Sequence, residues 1–206
     1  MSTGHRWNKS RGDDNVSDWS SARFAGLVGA EQVTVQSENA GGGLITTTLK
    51  LDKLPVSVTS ITTGNGVGGA TVYTLPEGLI RTLGGTANLR VEIDADAQDD
   101  FTDGTPEGDI GVGTLAPANA DALGTDATDD NICTAAAFAM TDFVDAETHL
   151  TSDVSSVLAL DGTGGSPVNI VVTVLIDASD IDDGVTSTVK VSGTITIVWG
   201  TLGDDD

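Results

Sequence analysis

Val168-Asn169-Ile170-Val171-Val172-Thr173-Val174-Leu175-Ile176 and, after an acidic connection, Val189-Lys190-Val191-Ser192-Gly193-Thr194-Ile195-Thr196-Ile197-Val198-Trp199 decide the fold class. The first stretch is apolar at both phases of a two-residue period, which marks a strand covered on both faces and therefore central. The second alternates cleanly. Val189, Val191, Ile195, Ile197 and Trp199 fall on one face, and Lys190, Ser192, Thr194, Thr196 and Val198 on the other. Asp177–Ser187 between them is rich in turn formers, and the two stretches predict an antiparallel pair.

The same period extends outward along the chain. Gln32–Val35, Leu44–Leu51, Val56–Ile61, Ala70–Leu75 and Ala87–Ile93 all read as strands, the last with Leu89, Val91 and Ile93 opposite Arg90 and Glu92. Pro76-Glu77-Gly78 punctuates the turn before Leu79-Ile80. Asp109-Ile110-Gly111-Val112-Gly113-Thr114-Leu115 is a strand weakened by glycine, as at a bulge or a close backbone approach. Residues 94–109 and 116–131 are excursions rich in Asp, Ala, Gly and Thr, and one helix is expected near Thr134–Met140 or Val154–Leu160. With no βαβ rhythm, the expectation is an all-β protein. Its form is an antiparallel β-sandwich, jelly-roll-like, with long acidic loops and an extended N-terminal arm. Residues 1–30 form the arm and residues 31–206 a single sandwich domain.

Composition agrees. The 206 residues contain 26 Gly, and the acids are mostly Asp, which competes for backbone hydrogen bonds and favours turns over helices. Only four Phe, three Trp and one Tyr are present, so the core is expected to be Val, Ile and Leu.

Charge restricts the partners. The formal net charge is -22, and no Lys or Arg occurs between Val91 and Val189. Such a surface cannot neutralise phosphates, so neither nucleic acid nor an anionic membrane is an expected partner. The cations are Arg6, Lys9, Arg11 and Arg23 near the start, then Lys50, Lys53, Arg81, Arg90 and Lys190 singly. Residues 1–30 hold Trp7, Trp19 and Phe24 among polar and mixed-charge residues. These aromatics, with Arg6, Arg11 and Arg23, are the candidate partner-binding residues of the arm.

No catalytic constellation is visible, and the chain is not expected to be an enzyme. Gly64-Asn65-Gly66-Val67-Gly68-Gly69 satisfies G-x-G-x-x-G, but strand-like residues follow where a dinucleotide site needs a helix, so a hairpin tip is the expected reading. Cys133 is the only cysteine and is expected to pack as a small apolar residue. His5 and His149 have no partner at metal-ligand spacing. No cofactor is expected, save that two oxygen-rich clusters, Asp94 with Asp96 and Asp177 with Asp180 and Asp182, suit weak calcium binding although neither keeps the EF-hand pattern.

Thr71-Val72-Tyr73-Thr74-Leu75-Pro76-Glu77-Gly78-Leu79-Ile80, Gly84-Gly85-Thr86-Ala87-Asn88-Leu89, Asp109-Ile110-Gly111-Val112-Gly113-Thr114 and Val191–Trp199 resemble small virion structural proteins of tailed, marine-type phages. The likeness spans roughly residues 45–205. What it implies is a capsid decoration (cement) protein, a β-rich module that binds the major capsid protein on the outside of a phage head, often as a homotrimer. It would be assembled in host cytoplasm and end on the virion capsid surface. Two alternatives stand beside it: a jelly-roll capsid or spike protein that forms the shell itself, and a calcium-binding adhesion module of a halophile.

Overall fold

The computed structural model describes residues 32–60, 64–117, 123, 128, 130–145, 147–151, 158–162 and 167–203. Eleven strands run antiparallel: β1 (Val33–Gly41), β2 (Leu44–Ser60), β3 (Gly66–Thr74), β4 (Gly78–Glu92), β5 (Glu107–Gly113), β6 (Cys133–Thr141), β7 (Val144–Asp145), β8 (Thr148–Thr151), β9 (Leu158–Gly162), β10 (Asn169–Ile176) and β11 (Thr186–Gly203). A single 3-10 turn, Gln98–Asp100, is the only helical element among the described residues.

Pairing divides the strands into two layers. One reads β1-β2-β11-β4, with β8 and β9 end to end along the far edge of β4. The other reads β3-β10-β5-β6. Both margins are stitched: β2 turns to pair β3 through Val58↔Gly68 and Ser60↔Gly66, and two-residue β7 bridges β4 to β6. Leaving out β1 and β7 and treating β8 and β9 as one position, eight strands remain. Numbered afresh along the chain they give 1-8-3-6 over 2-7-4-5, which is the jelly roll, an antiparallel β-sandwich that disposes of its sheet edges by wrapping.

This order corrects the expected pairing of the two C-terminal strands. β10 lies between β3 and β5, whereas β11 lies between β2 and β4 in the other layer. Alternation identifies a strand and its buried face but is blind to which layer that face comes from. Centrality was legible: all residues from Ile170 to Ile176 are buried. Ile170, Val172, Val174 and Ile176 join the common core. Val171 lies over Gly69 beside Ala116, and Thr173 over Gly111 beside Asp130, so the connection after β5 covers the outer side.

The helix expectation is also corrected. Thr134–Met140 lies in β6, and Leu158–Leu160 begins β9; the rest of the second candidate, 154–157, lies outside the described residues. Alanine favours helix, but Phe138 and Met140 are two apart and both buried, with Ala137 and Ala139 exposed, so burial of a period-2 face overrides propensity.

Two strands are longer than their patterns imply because bulges shift the phase. In β2 the inward residues are Thr47, Leu49 and Leu51, then Leu54, Val56 and Val58. The shift occurs at Lys53, whose φ is 53°, where the register with β11 slips. In β4 the inward set passes from Ile80 and Thr82 to Ala87, Leu89 and Val91 across Gly84, at φ 121°. Each extra residue turns the rest of its strand over, which reads in sequence as two short strands. Pro55, with no N–H to donate, sits in the part of β2 that β1 has left and β3 has not reached.

The Gly64–Gly69 motif is a hairpin connection only at its start, since Gly66 to Gly69 are already in β3. A Cβ on Gly68 would stand 2.0 Å from the Ser57 carbonyl oxygen, so glycine lets β3 press against β2 where the layers join.

Candidate interaction face

The outer face of the β1-β2-β11-β4-β8 layer is built from whole rows of small polar side chains. Register places Gln36, Thr48, Thr196, Thr86 and Thr151 in one line across five strands. Thr34, Lys50, Thr194, Asn88 and His149 form the next line. Thr48 and Thr196 stand at hydrogen-bond distance, 3.5 Å, and His149 Nδ1 lies 2.5 Å from Asn88 Oδ1. The inner side of the same strands is aliphatic (Leu49, Ile195, Ala87 and Leu150), so strict alternation delivers both surfaces.

All five Lys and Arg residues of the described chain lie on this layer. Lys50 and Lys53 are on β2, Arg81 and Arg90 on β4, and Lys190 on β11. Ion pairs join Lys53 to Glu92 at 2.6 Å and Lys190 to Asp94. Glu92, first by hydrogen bond and then by charge, holds the Lys53 ammonium above its usual range. Lys50, Arg81 and Arg90 have no carboxylate at ion-pair distance among the described residues. In sequence these cations are up to 140 positions apart, and only the strand order reveals that they share a layer.

Beyond the ends of β4 and β10 the segments that follow the two acidic clusters' first residues meet, residues 100–107 against 177–182. Phe101 and Ile181, both buried, form an isolated bridge. Around it the Thr102 amide donates to the Asp180 carbonyl, the Asp182 amide to the Asp100 carbonyl, and the Asp177 amide to the Glu107 carbonyl. The Glu107 amide donates to Asp180 Oδ2 at 2.8 Å, so this side chain ties the two segments together. Asp94 is held by Lys190, and Asp96 and Asp182 are exposed. Among the described residues no three His, Cys, Asp or Glu side chains are grouped so as to hold a metal ion. On the neighbouring strand, burial and then the charge of Asp177 raise the Asp109 carboxyl above the usual range.

A third feature was not foreseen. Ser37, Thr47, Tyr73 and Trp199, from β1, β2, β3 and β11, meet in a buried polar knot at the margin between the layers. Ser37 Oγ lies 2.9 Å from Thr47 Oγ1, and Trp199 Nε1 donates to Thr47 Oγ1 at 2.9 Å. The Tyr73 hydroxyl bonds to Thr47 and Ser37, while burial, the larger effect, raises its pKa. A Thr at an inward position of an aliphatic strand, with the chain's single Tyr and an inward Trp, was the available signal.

Cys133 is fully buried, and burial pushes its thiol up to about 12, which suits packing and not nucleophilic chemistry. The proposed partner-binding residues Trp7, Trp19, Phe24, Arg6, Arg11 and Arg23 lie outside the described residues.

The fold and its surfaces define an all-β antiparallel sandwich with one cation-bearing, threonine-lined face and one acidic pole. No family model and no curated protein matches the chain. Among solved structures, one titled "Structure of infectious bursal disease virus Gx strain" aligns with 83% of this chain and 35% of its own chain, at 10% identity and a TM-score of 0.33. The chain thus spans about a third of that protein's length, and a TM-score of this size does not establish a common fold.

Proposed function

We propose that this chain is a virion structural protein of capsid type, a jelly-roll subunit whose work is to bind other protein subunits. The observation that carries the reading is the strand order, 2-11-4 with 8 and 9 over 3-10-5-6, around an interior filled by Ile, Val and Leu side chains. Jelly rolls serve as capsid, lectin and cupin domains. The described interior is packed mainly by aliphatic side chains, and the polar knot around Thr47 is internally bonded. On this reading its broad polar surfaces make the contacts with other subunits.

The finer reading is decoration of a phage head. The segments Thr71–Ile80 and Val191–Trp199, which carry the resemblance to cement proteins, fall in β3–β4 and in β11. On this reading the major capsid protein is the partner, a homotrimer is the working unit, and the arm with Trp7, Trp19 and Phe24 adds anchoring contacts. The strand order itself favours the runner-up, a shell or spike subunit, because the jelly roll is a shell-building fold.

One experiment separates the two. The chain is expressed alone and together with the other head proteins of its own genome, and the products are imaged by electron microscopy. Closed particles from the chain alone establish the shell reading. Binding to heads formed by another protein establishes decoration. A chain that neither assembles nor binds heads refutes the capsid-type role.

A further inference from the structure

We propose that two copies of this chain join edge to edge through β1, in an antiparallel pairing with its two-fold axis at Val35. Among the described residues, β1 is the longest of the strands that pair on one side only, the others being four-residue β8 and five-residue β9. A strand edge is a template for another strand, and proteins blunt it with Pro, Lys or a bulge. β1 holds no Pro, Lys or Arg, and its register with β2 runs unbroken from Val33 to Asn39, shifting only at the hairpin tip. The phase of the ladder identifies the groups that this edge offers. The Asp52 amide donates to the Gln32 carbonyl, so Gln32, Thr34, Gln36 and Glu38 are the residues that bond to β2. Val33, Val35 and Ser37 turn their N–H and C=O groups the other way, and an extended strand satisfies such a row.

The row complements itself. Pairing about Val35 sets Val33 opposite Ser37 of the second copy and Val35 opposite its own mate, each pair exchanging two hydrogen bonds. The side chains suit this register. Val33 and Val35, half-buried against the core, continue into the same inner row of the second copy. On the outer side Thr34 meets Gln36, and Glu38, the one charge in β1, meets Gln32 and not its own mate. Ser37, whose hydroxyl turns into the buried knot with Thr47, Tyr73 and Trp199, fastens β1 to the other layer, so pairing has no strand to order first. Seven paired residues at about 3.4 Å each, on a margin about 20 Å deep, bury roughly 500 Å² per copy and about 1,000 Å² in total, which reaches the floor for a specific interface. The contact is isologous and closes at two copies, so it is distinct from any homotrimer contact and does not depend on the capsid-type reading.

The test uses the full chain in sedimentation velocity across a concentration series, near 0.05 M and near 0.5 M salt. A dimer is expected, and because each chain carries a net charge of -22 it should tighten by about threefold or more at the higher salt, where repulsion is screened. Val35→Pro removes an N–H that β2 does not use, so it should keep the fold by circular dichroism and weaken dimerisation by about tenfold or more. Thr34→Glu with Gln36→Glu opposes carboxylates across the new ladder, should weaken it similarly, and decides the matter where the proline variant fails to fold. Thr34→Cys chains mixed with Gln36→Cys chains should give, on mild oxidation, a disulfide-linked dimer that neither variant gives alone. A chain monomeric at both salts, or a dimer that survives both the proline and the glutamate variants, overturns the proposal. A monomer whose Val33 and Val35 amides resist hydrogen exchange would assign the edge to another segment of the same chain and overturn it equally. Since this assay contains no heads and no other protein, failure of the contact leaves the capsid-type role standing, and failure of that role leaves the contact standing.

Discussion

Thr47→Val replaces one hydroxyl by a methyl group of nearly the same size at a fully buried position, and it strands three partners together. The Trp199 indole N–H loses its 2.9 Å acceptor, Ser37 Oγ loses its 2.9 Å neighbour, and Tyr73 keeps only Ser37. A buried donor left without a partner costs about 1–3 kcal/mol. The indole has no second acceptor in this set, so the full penalty falls on it. Ser37 and Tyr73 can still bond to each other and contribute less. The expected loss is about 2–4 kcal/mol, or a fall in Tm of roughly 4–16 °C for a domain of this size. Urea titration followed by far-UV circular dichroism measures the first quantity and thermal melting the second. A double-mutant cycle with Trp199→Phe isolates the shared bond: once the donor is gone, Thr47→Val should cost at least about 1 kcal/mol less than it does alone. A single-mutant loss below about 0.5 kcal/mol, or strict additivity in the cycle, would refute the claim that the knot holds the layer margin together.

Four further outcomes test the backbone, the core and the charge pattern. Gly193 sits at φ 136°, and a Cβ there would lie 2.0 Å from the Asn88 carbonyl oxygen, so Gly193→Ala should lower stability by about 3 kcal/mol or more. Gly184→Ala, at φ 74° in open space, should cost only about 1–2 kcal/mol by urea titration, since it meets the left-handed penalty without a clash. Cys133 should resist a thiol reagent at pH 8 in the native protein and react at once in urea, its thiol being buried and pushed up to about 12. The raised Asp109 carboxyl means that the folded state binds this proton more tightly than the unfolded state. Its contribution to stability is therefore complete below the ordinary carboxyl value of 3.8 and lost as pH rises through the folded value. Asp109→Asn should then raise the urea midpoint at pH 7 and leave it unchanged near pH 3; a lowered midpoint at pH 7 would reverse the assigned sign.

Strand existence and facing were legible because burial imposes a period of two. Leu89, Val91 and Ile93 point inward, and so do Val189, Val191, Ile195, Ile197 and Trp199. What the period cannot carry is phase across a bulge or membership of a layer. Lys53 and Gly84 each add a residue, so β2 reads in sequence as two strands, and of β4 only the part after the bulge, Ala87–Ile93, reads as a strand. β10 and β11 follow one another with an acidic turn between them, yet that turn carries the chain from one layer to the other. The alanines of β6 mislead for a different reason: Ala is indifferent to burial, so Phe138 and Met140 alone carry the period there. The polar knot was hidden because Thr is a usual strand residue on either face, and nothing local to Thr47 names Trp199, 152 positions away, as its donor.

The distribution of charge follows from the same topology. Loops in a jelly roll gather at the ends of the sandwich, and Asp gathers in loops because its side chain bonds to turn backbone, as Asp103 does to the Thr105 amide at 2.7 Å. An acidic chain of this fold therefore collects charge at its ends without any further instruction. Lys and Arg have no such preference for turns, and all five of those described here lie in β2, β4 and β11. These are the three longest strands, and they lie side by side. Had the cations served only to relieve repulsion among the carboxylates, they would sit within the acidic segments between Val91 and Val189, where none occurs. Lys53 and Lys190 do neutralise the border between face and pole through Glu92 and Asp94. Lys50, Arg81 and Arg90 share the outer face of this layer with exposed Glu38, Asp52 and Asp161, so the sheet stays near neutral while the connections between strands hold the excess of negative charge.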